Sequence, residues 1–158
     1  MDQKERLLRE NADLVFRLAL RLTGGCHAEA EDIAQEALIA AFTRLPRFAG
    51  RSRLSTWLHT ITVRTWRRRM DRAPQPTLLL TEELVSAPGR GNGDLNDAIC
   101  SLPPFLREAF VLVKVEGWTS KEAAKILDIP QGTVQWRVHE SCQRLRVLLL
   151  EEEHDHDG

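Results

Sequence analysis

Between Arg44 and Arg72 nine arginines stand against a single acid, Asp71. Arg44, Arg47, Arg51, Arg53, Arg64, Arg67, Arg68, Arg69 and Arg72 are interleaved with Phe48, Trp57 and Trp66. Guanidinium groups suit phosphates and aromatic faces suit unstacked bases, so the chemistry on offer is non-covalent: grip on a nucleic-acid backbone and capture of exposed bases. The segment Arg47-Phe48-Ala49-Gly50-Arg51-Ser52-Arg53 is small, polar and basic, fit to cradle a flipped nucleotide. A competing reading places Trp57 in a core with Leu54, Leu58 and Ile61, and it holds for part of the ring. The arginine density favours a nucleic-acid surface.

A second constellation lies toward the C-terminus, in Gly117-Trp118-Thr119-Ser120-Lys121-Glu122-Ala123-Ala124-Lys125-Ile126-Leu127-Asp128-Ile129-Pro130-Gln131-Gly132-Thr133-Val134. Thr119 and Glu122 have the spacing of a capping box. Ala123, Ala124, Ile126 and Leu127 give the first helix an apolar face. Asp128 tolerates a turn conformation and Pro130 suits a helix entry. A second helix is predicted from about Gly132 to Leu150. Cap, turn and amphipathic second helix together spell a helix-turn-helix, a unit that commonly sets its second helix in the DNA major groove. An ordinary helical hairpin is the plainer alternative.

In that second helix Val134, Val138, Cys142, Leu145 and Leu149 form the apolar face. Gln135, Trp136, His139, Glu140 and Gln143 then face away from it. Gln135 suits adenine and Glu140 suits cytosine N4. His139 suits a base or a phosphate, and Arg137 and Arg144 suit phosphate clamping. Trp136 could pack on the sugar–phosphate backbone, on a thymine methyl or on a protein partner.

Helical periodicity dominates the elements that must position these groups, and almost no strand pattern is visible. One amphipathic helix is expected from about Glu5 to Leu22, with Leu7, Leu14, Val15, Leu18 and Leu22 on one face and Thr23-Gly24-Gly25 as its stop. A second is expected from about Ala28 to Leu45, with Ala30, Ile33, Ala34, Ala37, Leu38, Ala41, Phe42 and Leu45 inward. A third runs from about Leu54 to Met70. The second helix bears another stripe, Asp32, Gln35, Glu36, Ile39 and Thr43, roughly opposite the apolar face. Acids near a helix N-terminus are favourable through the dipole alone, which accounts for Glu29, Glu31 and Asp32. It does not account for Ile39, and an acidic patch with one aliphatic also fits a protein-docking face.

The 158 residues allow one domain or two small ones. Net charge is −1, yet it is unevenly spread. Residues 1–72 hold fourteen basic against nine acidic groups, and five acids crowd the last eight residues. Weak overall basicity predicts weak autonomous binding to DNA, so a larger partner is expected to deliver the protein. Residues 73–95, with Pro74, Pro76, Pro88, Gly89, Gly91 and Gly93, read as a linker interrupted by the apolar Thr77-Leu78-Leu79-Leu80. Cys26, Cys100 and Cys142 form no disulfide framework and no zinc spacing, and His154 and His156 belong to a solvated acidic end. No cofactor or metal is expected. No apolar run approaches the roughly 20 residues that span a bilayer, and the N-terminus lacks a secretion-signal pattern, so a cytoplasmic location without membrane insertion is expected.

In these motifs the chain resembles the RNA polymerase sigma factors of the extracytoplasmic-function (ECF) group, over most of residues 8–150. Ala30-Glu31-Asp32-Ile33-Ala34-Gln35-Glu36-Ala37 looks like the region 2.2 motif that docks on the clamp helices of the largest polymerase subunit. Leu45-Pro46-Arg47-Phe48-Ala49-Gly50 and Ser55-Thr56-Trp57-Leu58 look like the segment that melts and reads the −10 element. Leu102-Pro103-Pro104 and Arg107-Glu108-Ala109-Phe110 open region 4 as the family does, and Gly117-Trp118-Thr119, Glu122-Ala123-Ala124 and Ile129 to Val134 complete its helix-turn-helix. The sequence departs from the family at Arg64, where asparagine is usual, at Arg68, near which an acid is often found, and at Asp128, where glycine is common. It also departs in Gln135, Trp136, Arg137, His139 and Glu140, where small or basic residues are usual.

The resemblance implies an all-α protein of two small helical domains on a flexible linker: region 2 over 1–72, linker 73–95, region 4 over 96–150 and an acidic tail 151–158. It implies polymerase docking by Asp32, Gln35, Glu36 and Ile39, and −10 binding by Arg47, Phe48, Arg51, Ser52, Arg53, Trp57, Arg64 and Arg68. It implies −35 binding by Thr119, Lys121, Thr133, Gln135, Trp136, Arg137, His139, Glu140 and Arg144. Partners implied are core RNA polymerase (beta-prime clamp helices and beta flap), promoter DNA and an anti-sigma factor. The expected function is promoter selection without catalysis. A stand-alone helix-turn-helix regulator is the alternative, and a nucleic-acid enzyme fits less well, for want of metal-binding acid pairs, a nucleophile–base set or a phosphate-binding loop.

Overall fold

The computed structural model describes residues 3–72 and 95–156, and the chain divides into two compact units, 1–75 and 76–158. Among the described residues regular structure is entirely helical. The expected linker up to Asp94, including its Thr77–Leu80 patch, lies outside the described residues.

In the first unit α1 (Gln3–Glu10) and α2 (Ala12–Leu22) replace the single helix expected from Glu5 to Leu22. The break is at Asn11, whose side-chain amide donates to the Leu7 carbonyl at 2.7 Å. Short polar side chains compete in this way with the helical ladder. Its consequence is a change of face: Leu8 is buried and Leu7 is exposed. α2 ends where Gly24 and Gly25 adopt positive φ (72° and 88°), letting the Gly25 N–H reach the Leu20 carbonyl at 2.8 Å.

α3 (His27–Arg44) packs against α2 and α4 (Leu54–Arg72) through Ala30, Ile33, Ala34, Ala37 and Ala41, all buried. Small side chains let the neighbouring backbones approach closely. Phe42, expected inside, is instead 53% exposed. A 3-10 turn, Leu45–Arg47, carries the chain out of α3 with Pro46 inside it. On α4 the buried hydroxyls of Thr62 and Thr65 donate back to the Leu58 and Ile61 carbonyls at 2.7 and 2.8 Å, so their burial leaves no donor unmet.

The second unit holds α5 (Leu95–Ser101), α6 (Pro104–Phe110), a π-turn over Val111–Val115, α7 (Ser120–Leu127) and α8 (Gln131–His156). Pro104 opens α6 at a position where a missing N–H costs nothing. The buried Arg107 reaches back to the Cys100 and Leu102 carbonyls, each at 3.0 Å, and so closes the end of α5. Gly117, at φ 80°, turns the chain from the π-turn toward α7. α8 continues past Leu150, where the sequence suggests it should stop, because no proline or glycine intervenes before Gly158.

Candidate nucleic-acid and protein-docking surfaces

The first helix of the helix-turn-helix, α7, is closed by side chains at its start and by backbone groups at its end. The Thr119 hydroxyl accepts from the Glu122 N–H at 3.1 Å, while the Glu122 carboxylate accepts from the Thr119 N–H at 3.2 Å and from the hydroxyl at 2.8 Å. Thr119 is thus a cap, with its hydroxyl already engaged on both counts. At the other end Asp128 takes the left-handed conformation (φ 55°, ψ 47°), and the Asp128 and Ile129 N–H groups both turn back to the Ala124 carbonyl. The Pro130 carbonyl then accepts from Thr133 and Val134 and starts α8.

Among the described side chains of α8 the buried ones are Val134, Val138, Ser141 and Leu145. Ser141 is an inward residue that the apolar pattern missed, and its hydroxyl meets the Leu106 carbonyl of α6 at 3.2 Å and the Arg137 carbonyl at 2.7 Å. Cys142 and Leu149, expected on that face, are only half-buried. Gln135, Trp136, His139 and Gln143 are exposed together, and the His139 ring lies 3.2 Å from the Gln143 amide. Arg144 is exposed and lies 3.3 Å from Glu140, one turn away. Lys121 is exposed on α7, and Thr133 is half-buried.

Arg137 does not join this outer surface. Its guanidinium lies 3.5 Å from Glu108 and 5.5 Å from the centroid of the Phe105 ring, both on α6. The side chains are 20% and 8% exposed for Arg137 and Glu108, so the pair is mostly shielded from water.

In the first unit the loop after α3 displays Arg47, Arg51, Ser52 and Arg53, all exposed, with Gly50 at φ 72° making its bend. Phe48 lies against Trp57 at a ring separation of 4.9 Å and a tilt of 39°. Both rings are half-buried on the edge of the core formed by Leu45, Leu58 and Ile61, which gives them one packed and one open side. Arg64 and Arg68 are exposed on α4. Trp66, grouped by sequence with the aromatic surface, is only 4% exposed and belongs to the core. Its neighbours Val63, Thr62 and Thr65 are buried as well, so α4 turns that face inward.

Asp32, Gln35, Glu36 and Ile39 are all exposed on α3, with Ile39 at 63%. Asp32 lies 3.9 Å from Arg69 of α4, a loose and solvated pair. Beside this stripe runs a groove of about 460 Å³ lined by Leu8, Ala12, Gln35, Leu38, Ile39 and Phe42, with Glu5 and Arg9 at its rim. Phe42, turned out of the core, therefore extends the apolar part of the stripe. The break at Asn11 sets α1 at this groove, a detail no periodicity carries. Among the described residues no cluster of His, Cys, Asp and Glu could hold a metal ion, and no helix is long and apolar enough to cross a membrane.

A helical unit with a basic, aromatic loop and a second unit with a capped helix-turn-helix define a class: an all-helical, two-module protein whose surfaces carry the chemistry of nucleic-acid binding. Residues 7–73 match the family model for sigma-70 region 2, and residues 93–145 match that for sigma-70 region 4. The chain is 35% identical over 162 residues to the ECF RNA polymerase sigma factor SigE of Mycolicibacterium smegmatis, covering 94% of this chain and 62% of that protein. It is 32% identical over 158 residues to the ECF RNA polymerase sigma factor SigW of Bacillus subtilis, covering 87% of this chain and 83% of that protein. The sigma factor RpoE of Bartonella quintana, solved in complex with the anti-sigma factor NepR, superposes with a TM-score of 0.68 at 25% identity, over 92% of this chain and 95% of that one. The chain belongs to the sigma-70 family of RNA polymerase sigma factors, in its ECF group.

Proposed function

We propose that this chain docks on core RNA polymerase through α3 and directs it to promoters that carry two separate elements. Asp32, Gln35, Glu36 and Ile39 form the docking stripe for the clamp helices, and the beta flap is the expected contact of the second unit. Arg47, Arg51, Ser52, Arg53, Arg64 and Arg68 grip the −10 backbone, while Phe48 and Trp57 offer faces to unstacked bases. Gln135, Trp136, His139, Glu140 and Arg144 address the −35 element, with Lys121 and Thr133 at its border. Thr119 acts there as the cap that fixes where the helix-turn-helix begins.

The observation that carries this reading is the first unit itself. A stand-alone regulator would bind operators by the second unit and sense a signal through the first, and a sensing unit has no need of an exposed acidic stripe with an aliphatic centre on α3 or of an arginine-aromatic loop. Anti-sigma control follows from the likeness to RpoE solved with NepR. Reconstituted transcription tests the whole: purified core polymerase plus this chain, with transcript starts mapped by sequencing. Starts preceded by two shared motifs support it. Tight operator binding by the chain alone, with no effect on polymerase, would overturn it in favour of the regulator.

A further inference from the structure

We infer that the Trp136 indole is a specificity-determining contact, reading the C5-methyl group of one thymine in the −35 element; this rests on the function proposed above. Trp136 is 57% exposed on the face of α8 that also carries Gln135 and His139. The next residue, Arg137, is turned the other way and held at Glu108 and Phe105. The helix therefore offers an uncharged plate at 136, with the neighbouring Arg137 guanidinium engaged against α6. Base-pair edges in the major groove are almost wholly hydrogen-bonding groups, and the thymine methyl is the one apolar feature there. Apolar surface of this size gains by covering a methyl and loses by covering donors or acceptors that then lack partners.

Gly132 supplies a second, independent pointer. It is helical, and a Cβ built on it would meet nothing within 4 Å, so neither backbone strain nor packing in this chain calls for glycine. Helical side chains lean toward the N-terminus over the preceding turn, which puts the indole of Trp136 above the bare turn at Gly132. A missing side chain beside an exposed aromatic leaves room for a base pair to come close to the backbone.

The test uses the full chain with core polymerase on a promoter identified by transcript mapping. Each thymine of the −35 element, on either strand, is replaced by uracil, which deletes the methyl group alone. Holoenzyme binding should fall about fourfold at one position, the equivalent of the ~0.8 kcal/mol of one buried methyl. With Trp136→Ala that same replacement should cost nothing, and with Trp136→Phe part of the cost should remain. An unchanged helical signal and melting midpoint for Trp136→Ala establishes that the variant folds. Equal uracil costs in both proteins, no uracil cost at any position, or an element without thymine overturns the assignment. So does a Trp136→Ala defect confined to polymerase or anti-sigma binding without DNA. If promoter-specific starts occur but the two perturbations simply add, this inference alone falls; if no such starts occur, the proposed function falls and takes it along.

Discussion

Arg137 and Glu108 form a shielded ion pair, 3.5 Å apart, that ties the recognition helix α8 to α6. The Phe105 ring under the guanidinium and the Ser141 hydroxyl on the Leu106 carbonyl reinforce the same junction. An arginine that sequence assigns to phosphate thus sets how the reading face is held. Arg137→Ala should lower stability by about 2 kcal/mol, since it removes a shielded charge-assisted contact together with the guanidinium packed on the Phe105 ring. Replacing both, as Glu108→Gln with Arg137→Met, should recover most of the loss. Urea melts measure this. A phosphate contact would instead reduce the slope of log K against log salt by about 0.9. That reduction is expected for Arg144→Ala and not for Arg137→Ala; the reverse result would return Arg137 to the DNA surface.

The two ends of α7 can be tested separately. Thr119→Ala removes the capping box and should cost about 1 kcal/mol, whereas Thr119→Ser should keep most of it. Asp128→Val puts a β-branched residue in a left-handed position and should cost about 1–2 kcal/mol. Asp128→Gly should be neutral or stabilising, because glycine meets no penalty at φ 55°. Thermal denaturation reads all four variants.

Docking on α3 predicts binding defects without stability defects. Ile39→Ala and Glu36→Ala should leave the melting midpoint unchanged while weakening assembly with core polymerase, about tenfold for Ile39 if its side chain becomes fully buried there. Asp32→Asn loses only an exposed pair at 3.9 Å, worth less than about 1 kcal/mol to the fold. A competition binding assay against a reference sigma factor gives the affinities. Variants that assemble normally would remove these residues from the interface.

The tryptophans of α4 should separate cleanly. Trp66→Ala opens the core and should cost about 3–5 kcal/mol. Trp57→Ala should cost less, about 1–2 kcal/mol, because its ring is only partly covered. Its main effect should be on promoter opening, read by permanganate reactivity of unpaired thymines. Intact opening with Trp57→Ala would assign that ring to packing.

Local chemistry was the legible part of this chain. The capping box at Thr119 and Glu122, the left-handed Asp128 and the exposed stripe of α3 follow from short-range rules that tertiary contacts did not override. What escaped sequence reading depends on partners distant in sequence or on non-periodic breaks. The first helix is interrupted at Asn11, and Leu8 rather than Leu7 enters the core. Phe42 and Trp66 have the same aromatic character, yet neighbouring helices decide that one faces out and the other in. Arg137 lies 29 residues from Glu108, so its pairing leaves no trace in spacing. The π-turn at Val111–Val115 likewise has no apolar period to betray it.

The alanine seam on the inner side of α3 has an asymmetric tolerance. Nothing there can be trimmed further except to glycine, and any added methylene must push into side chains that already bury these positions almost completely. Drift at Ala30, Ala34, Ala37 and Ala41 is therefore confined almost to silence, while the solvent side of the same helix answers to no packing constraint from its own fold.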